Sequence, residues 1–517
     1  MDLALDVDLD VDLDLDLDLD LVRDPVEVEV EVDDHVHVHD HDHRDRRATF
    51  ARAWYERSAP MPRLLFADDR GRVYDHPDLL AAVRTGDDIV SPAERPVRLP
   101  DGAALTMLPG RRPIGLDPAT GSTVVLREVR VGRRTIAPHA VGATLPPGFT
   151  RTFLPAAARP PLATVADVPT LPQWAYTAAA FDGGPVAWAL HTDRRRHWSP
   201  RVHSTPDLPR LVHRTLEESP NPIYRQLARC ALEWRCFTAQ NTFYLRDEGA
   251  IPSSAACNAA CIGCLSDQEE GMPPASHERI AAAPTAEQMA EVALRHLTTA
   301  RGRVMVSFGQ GCEGEPLVRW KEIERAIRLV RARTRRGSMH ANSNGSLPTA
   351  LGRLVRAGLD SVRISLNSAS PDLYAAYYRP SGYAFSDVVR AIRVAKDAGA
   401  YVALNLLTFP GVTDREGESE RLCRLVARTG VDQVQTRPLA IDPDVYMEVA
   451  RGRGAGGAPI GIRALVDALR AARPGLVVGN FSRAKPERGP STSPALSVGA
   501  AKPTRSRRAQ GEREGRR

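Results

Sequence analysis

From about residue 285 to residue 480 the chain repeats one pattern, a short apolar run followed by an amphipathic stretch of ten or more residues. That alternation constrains the fold more than any other feature, because parallel strands joined by right-handed helical crossovers satisfy it. Strands are predicted at residues 303–309, 338–344, 361–367, 401–407 and 433–437, with a short one at 476–478. The helices between them begin with a Thr285-Ala286-Glu287-Gln288 capping box. They continue at 317–335 and 349–357, then run from an N-cap at Ser386 to residue 398, and end with 416–428 and 462–472. Residues 241–245 read as one further strand ahead of them. Six or so units fall short of a closed eightfold ring. The expectation is an α/β fold with a partial (β/α)6 TIM-like barrel, open on one side, over residues 241–482.

Side chains alternate along a strand, so parity says what shares a face. Ser361, Arg363, Ser365 and Asn367 share one side of their strand, and His340, Asn342 and Asn344 share one side of theirs. Gln433, Gln435 and Arg437 do the same, with Asn405 alone among leucines. Closed barrels fill their interior with Val, Ile and Leu. A polar interior in a helix-covered sheet makes sense when it holds a ligand and water. His340, Arg363, Gln435 and Arg437 are therefore the candidate substrate contacts.

Cys257, Cys261 and Cys264 stand at C-x3-C-x2-C spacing, which suits a loop wrapped around a compact metal cluster. A [4Fe–4S] cube normally takes four thiolates. Three leave one iron open to a small molecule. Structural zinc is the competing metal, but it closes a four-ligand shell with paired spacings, and no second pair follows at a suitable distance.

The rest of the chain bounds the reading. Its 517 residues allow two or three domains, the net charge is only +5, and seven cysteines with three clustered fit a reducing cytosol better than a disulfide framework. No apolar run approaches the roughly 18–20 residues of a membrane span, so a cytoplasmic protein is expected. Residues 1–46, an Asp/Leu/Val then His-rich alternation, are expected to be a disordered leader or an over-called start. Residues 60–200 carry short β-type runs between Gly and Pro and predict a small β-rich domain. Residues 205–240 predict a helical connector. Cys230 and Cys236 within it are weighed as ligands of an auxiliary cluster against ordinary buried thiols. The Arg-rich tail, 483–517, is expected to be disordered, and without interleaved aromatics it is not expected to bind nucleic acid.

The cysteine loop resembles that of the radical S-adenosylmethionine (radical SAM) enzymes, in which the open iron chelates S-adenosylmethionine. Where that superfamily often has an aromatic before the third cysteine, Gly263 stands. Gly314-Glu315-Pro316 resembles the family's Gly-Gly-Glu-Pro turn, with Glu313 in place of the first Gly. Asn342-Ser343-Asn344-Gly345 is similar to its third-strand turn, Ser365 and Asn367 to its ribose contacts, and Phe409-Pro410-Gly411-Val412 to the turn near the adenine. The resemblance implies that Gly314, Glu315, Pro316, Asn342, Asn344, Ser365, Asn367 and Gly411 contact S-adenosylmethionine. It also implies a [4Fe–4S] cluster reduced by a flavodoxin- or ferredoxin-type donor, and a 5′-deoxyadenosyl radical that abstracts hydrogen from a substrate. A peptide or protein substrate ranks first, since the N-terminal module fits a leader segment. A small molecule of cofactor biosynthesis ranks next, and a non-catalytic iron–sulfur sensor last. Cys312, beside the turn, is weighed as a hydrogen-atom donor against a packing residue.

Overall fold

The computed structural model describes residues 26–27, 61–159, 169–193, 198–454 and 456–484. Apart from Val26–Glu27, a short strand against Arg130 and Val131, the leader lies outside the described residues. So does the tail beyond residue 484.

Seven strands form one sheet in sequence order. They are β1 (Arg246–Ala250), β2 (Arg301–Phe308), β3 (Ser338–Ser343), β4 (Ser361–Leu366), β5 (Tyr401–Thr408), β6 (Gln433–Pro438) and β7 (Val477–Gly479). Every pairing is parallel, and β1 does not pair with β7, so the barrel stays open. The crossovers are α1 (Ala286–Thr299), α2 (Trp320–Arg331), α3 (Pro348–Ala357), α4 (Pro371–Tyr378), α5 (Phe385–Asp397), α6 (Glu416–Thr429), α7 (Pro443–Ala450) and α8 (Ile462–Ala472). One parity of each strand packs against these helices: Val304, Val306 and Phe308, Val362, Ile364 and Leu366, Val402, Leu404 and Leu406 are all essentially inaccessible. Burying that face drives the sheet and helices together. The other parity is left to the interior.

Three local expectations are corrected. The segment 241–245, a strand by its residue types, instead ends the helix Phe237–Tyr244, and Leu245 caps it in the left-handed region at φ 53°. Phe243 and Ala239 pack that helix into the main core, so tertiary burial overrides the β-forming residue types. The first strand is accordingly β1. The start of α5 is Phe385, not Ser386: the Ala384 N–H donates to Asp387 at 2.9 Å and leaves Ser386 inside the helix. Between Leu317 and Arg335, a 3-10 turn at Pro316–Arg319 precedes α2. The capping box at Thr285 and Gln288 forms reciprocally, at 3.2 and 2.8 Å.

Antiparallel strands between Arg63 and His191 build the N-terminal region, and the helices Leu208–Glu218 and Pro222–Leu232 lead from it to the barrel. This β region sits on the C-terminal ends of β5 and β6. Thr150 meets Thr408 at 3.1 Å, Gly86 N–H donates to Pro410, and Arg151 donates to the Leu439 carbonyl at 2.8 Å while lying over the Phe409 ring. Arg111 reaches Asp442 at 2.8 Å with both side chains excluded from solvent. Arg84, Arg111 and Arg159 all converge on Asp444.

Candidate functional site

The cysteine loop leaves β1 and is held from two sides. On one side it is strapped to the end of α4: Ala260 N–H donates to Tyr378 O, Ile262 N–H to Tyr377 O, and Ser381 N–H to Asn258 O, at 2.9–3.1 Å. On the other side lies the turn after β2. Gly314 N–H donates to Ser254 O at 2.7 Å and Glu315 N–H to Ala256 O at 2.9 Å. A Cβ at Gly314 would lie 2.1 Å from the Ala256 carbonyl oxygen, so only glycine permits this approach.

Glu313, the residue that departs from the family turn, is a buried clamp. Its carboxylate accepts from Ser253 N–H and Oγ and Ser254 N–H on one side, and from Gly309 and Gln310 N–H on the other, at 2.6–3.0 Å. Burial pushes this carboxyl up to about 7 against the pull of those donors. Glu315 is also spoken for. It accepts from Leu317 N–H, Ser343 Oγ and Asn344 N–H, which joins the turn to β3, and burial raises it to about 6. Pro316 opens the 3-10 turn.

Burial, reinforced by the neighbouring thiols and Glu315, lifts the Cys257 and Cys261 thiols above their ordinary range. Ligation by iron would draw protons from them. Arg279 donates to Cys264 Sγ at 3.7 Å and to Ser266 Oγ at 3.1 Å, a charged donor on a candidate ligand that no local motif announces. Among the described residues no three His, Cys, Asp or Glu side chains are gathered tightly enough to enclose a single metal ion. The donor set is three thiols on one loop that influence one another's charge, and this chemistry fits iron–sulfur ligation better than a closed zinc shell. A cleft of about 670 Å³ opens beside Cys261 and Cys264.

Gly263 has a steric reason. A Cβ there would stand 2.7 Å from Tyr377 Oη, so an aromatic from α4 already fills the space that a larger loop residue would need. Gly263→Phe should therefore cost about 1–3 kcal/mol by overpacking, and Tyr377→Ala in the same chain should recover much of it, as read by urea denaturation.

The remaining expected contacts divide. Asn344 bonds Asn258 of the cysteine loop at 2.8 Å. Asn342 Oδ1 accepts from His340 Nε2 at 3.1 Å and its amide nitrogen donates to Phe308 O, while His340 Nδ1 bonds Ser361 Oγ at 2.8 Å. His340 is thus engaged within the protein. Ser365 lines up across the sheet with Asn405 and Gln435. Asn367 turns instead toward Leu373 O and Tyr446 Oη, both at 3.3 Å. Gly411, expected near the adenine, also abuts Gly86 of the β region, where a Cβ would lie 1.9 Å from Gly86 N. Cys312 lies in the main core with its thiol bonded to Cys230, which favours packing over hydrogen-atom donation. Cys230 and Cys236 are free thiols, Cys230 fully buried, and burial pushes Cys236 up to about 11. Glu248, on the interior side of β1 and bonded to Ser307 at 2.7 Å, escapes a sequence reading that puts the first strand too early.

Residues 251–453 match the family model described as the Radical SAM superfamily. A GTP 3′,8-cyclase of Heliobacterium modesticaldum is 31% identical over 180 residues, which span 34% of this chain and 50% of that protein. A probable GTP 3′,8-cyclase of Aeropyrum pernix is 32% identical over 120 residues, 23% of this chain and 32% of that one. The chain spans about half the length, or less, of the curated relatives it matches. A radical SAM methyltransferase structure from Sphaerobacter thermophilus aligns over 45% of this chain and 65% of its own, with TM-score 0.31 and 16% identity. No helix among the described residues is long and apolar enough to cross a membrane.

Proposed function

We propose, for a chain that belongs to the radical SAM superfamily through residues 251–453, an enzyme in which Cys257, Cys261 and Cys264 hold a [4Fe–4S] cluster beside S-adenosylmethionine and the polar barrel interior holds a small-molecule substrate. Bound together, the two cofactors supply a 5′-deoxyadenosyl radical on one-electron reduction. The chain's own part is positional. Glu313 and Glu315 fix the turn after β2 against the cysteine loop and β3, and α4 fixes the loop from behind. Asn344, bonded to Asn258 of the cysteine loop, and Ser365, near the end of β4, are candidate contacts for S-adenosylmethionine. The implied partner is a flavodoxin- or ferredoxin-type electron donor, and the cleft beside Cys261 and Cys264 is where the loop is accessible from outside.

The observation that favours a small substrate over a peptide is the seat of the β region. Its Arg84, Arg111, Gly86 and Thr150 are engaged with the barrel's β5 and β6 ends rather than open to receive a leader segment. The relatives named as GTP 3′,8-cyclases lean the same way. Anaerobic reconstitution should give about four irons per chain and, with dithionite, 5′-deoxyadenosine from S-adenosylmethionine. Cys261→Ala should abolish both. A Cys261→Ala protein that still cleaved S-adenosylmethionine would defeat the proposal.

A further inference from the structure

Resting on that reading, we infer that the barrel interior recognises an oxyanion of the substrate, a phosphate or a carboxylate, and that Arg363 and Arg437 receive it. Both side chains lie on the interior parity of their strands, β4 and β6, opposite the face that packs on the helices. Arg363 donates one Nη to Gln435 Oε1 at 2.9 Å, while its buried Nε meets no acceptor. The amide nitrogen of Gln435 is likewise buried without an acceptor. Among the described residues nothing accepts a hydrogen bond from Arg437. Arg363 Nε and Gln435 Nε2 are thus buried donors without an acceptor among the described residues, and the half-buried Arg437 stands beside them. Buried donors are nearly always satisfied, so the missing partner is an acceptor-rich ligand.

Charge points the same way. Glu248 is the carboxylate inside the barrel that acts on both guanidiniums, and it is a single negative charge already bonded to Ser307. Asp193 also acts on Arg437, but its Oδ2 is taken by Asn480 N–H, Phe481 N–H and Arg483. Two half-buried guanidiniums against one carboxylate leave a positive charge on the barrel interior, which is costly unless another anion compensates it. Burial and the proximity of Arg363 hold Arg437 down at about 9. Arginines that serve the architecture here look different. Arg151, more deeply buried, also has an Nε without an acceptor but places both its amino groups on the Tyr176 and Leu439 carbonyls, and Arg111 sits between Asp442 and Asp444.

The test is calorimetric titration of the reconstituted holoprotein with pyrophosphate and, separately, glutarate, which tells phosphate from carboxylate recognition. Arg363→Met and Arg437→Met should each weaken the oxyanion that binds by roughly 10- to 100-fold, the worth of a charge-assisted hydrogen bond. Arg437→Lys, which keeps the charge, should recover part of the loss. The inference is overturned if neither oxyanion binds, or if the methionine variants bind it as the wild type does. It is also overturned if the variants lose affinity for S-adenosylmethionine instead, because the pair would then serve the cofactor's own carboxylate. Failure of the underlying enzyme assignment shows separately, as no 5′-deoxyadenosine from the wild type.

Discussion

Gly314→Ala should lose the iron cluster and about 3 kcal/mol or more of stability. The new methyl would meet the Ala256 carbonyl at 2.1 Å for oxygen and 2.5 Å for carbon. Both are main-chain atoms, so no side chain can swing aside. Relief requires the turn after β2 to part from the segment entering the cysteine loop. That breaks the Gly314–Ser254 and Glu315–Ala256 bonds and loosens the Glu313 clamp. Overpacking at about 1–3 kcal/mol and two lost hydrogen bonds at about 1 kcal/mol each make up the figure. Gly311 is the internal control. A Cβ there meets nothing closer than Leu265 at 3.6 Å, so Gly311→Ala should keep wild-type iron content. Equal iron retention and equal urea midpoints for the two variants would show that the close approach does not matter.

Arg111→Met is the second large effect, expected to destabilise by about 3–5 kcal/mol because it strands the Asp442 carboxylate without its partner in a dry interface. Asp442 has other duties that cannot compensate: it accepts from Leu171 N–H and caps α7 through Asp444 N–H, both at 2.9 Å. The strain is expected to travel along α7, whose Tyr446 packs on Phe409 and Tyr377 and bonds Asn367. Chemical denaturation followed by limited proteolysis reads the outcome. A wild-type midpoint with no new cleavage in residues 61–193 would contradict the interface role.

What was legible in the residues and what was not follows physical lines. Strand parity is a local, period-two signal, so the apolar faces at Val362, Ile364 and Leu366 and the polar side at Ser361, Arg363 and Ser365 could be read directly. The helices α4 and α7 are hard to find by period, since each is only eight residues long, about two turns, although their buried residues (Leu373, Tyr374, Tyr377 and Tyr378; Pro443, Tyr446, Met447 and Ala450) do fall at helical spacing. Their starts did carry a signal: Ser370-Pro371-Asp372 and Asp442-Pro443-Asp444 place a capping residue before proline at the first helical position. The partnership of Arg111 with Asp442 has no local trace at all. Gly411 shows the converse, a turn glycine whose freedom serves the approach of Gly86 from a distant strand connection.

Tyr377 and Gly263 form one packing unit divided between two parts of the chain, with the loop supplying the hollow and α4 the ring. Among descendants of this plan the two positions should therefore covary, a bulky residue at 263 arising only with a small one at 377. Judged by its own alignment column, Gly263 would count as a degenerate motif. Judged with its partner, it is a relocation of the same aromatic mass, and a loop graft from a relative would succeed only if Tyr377 were exchanged along with it.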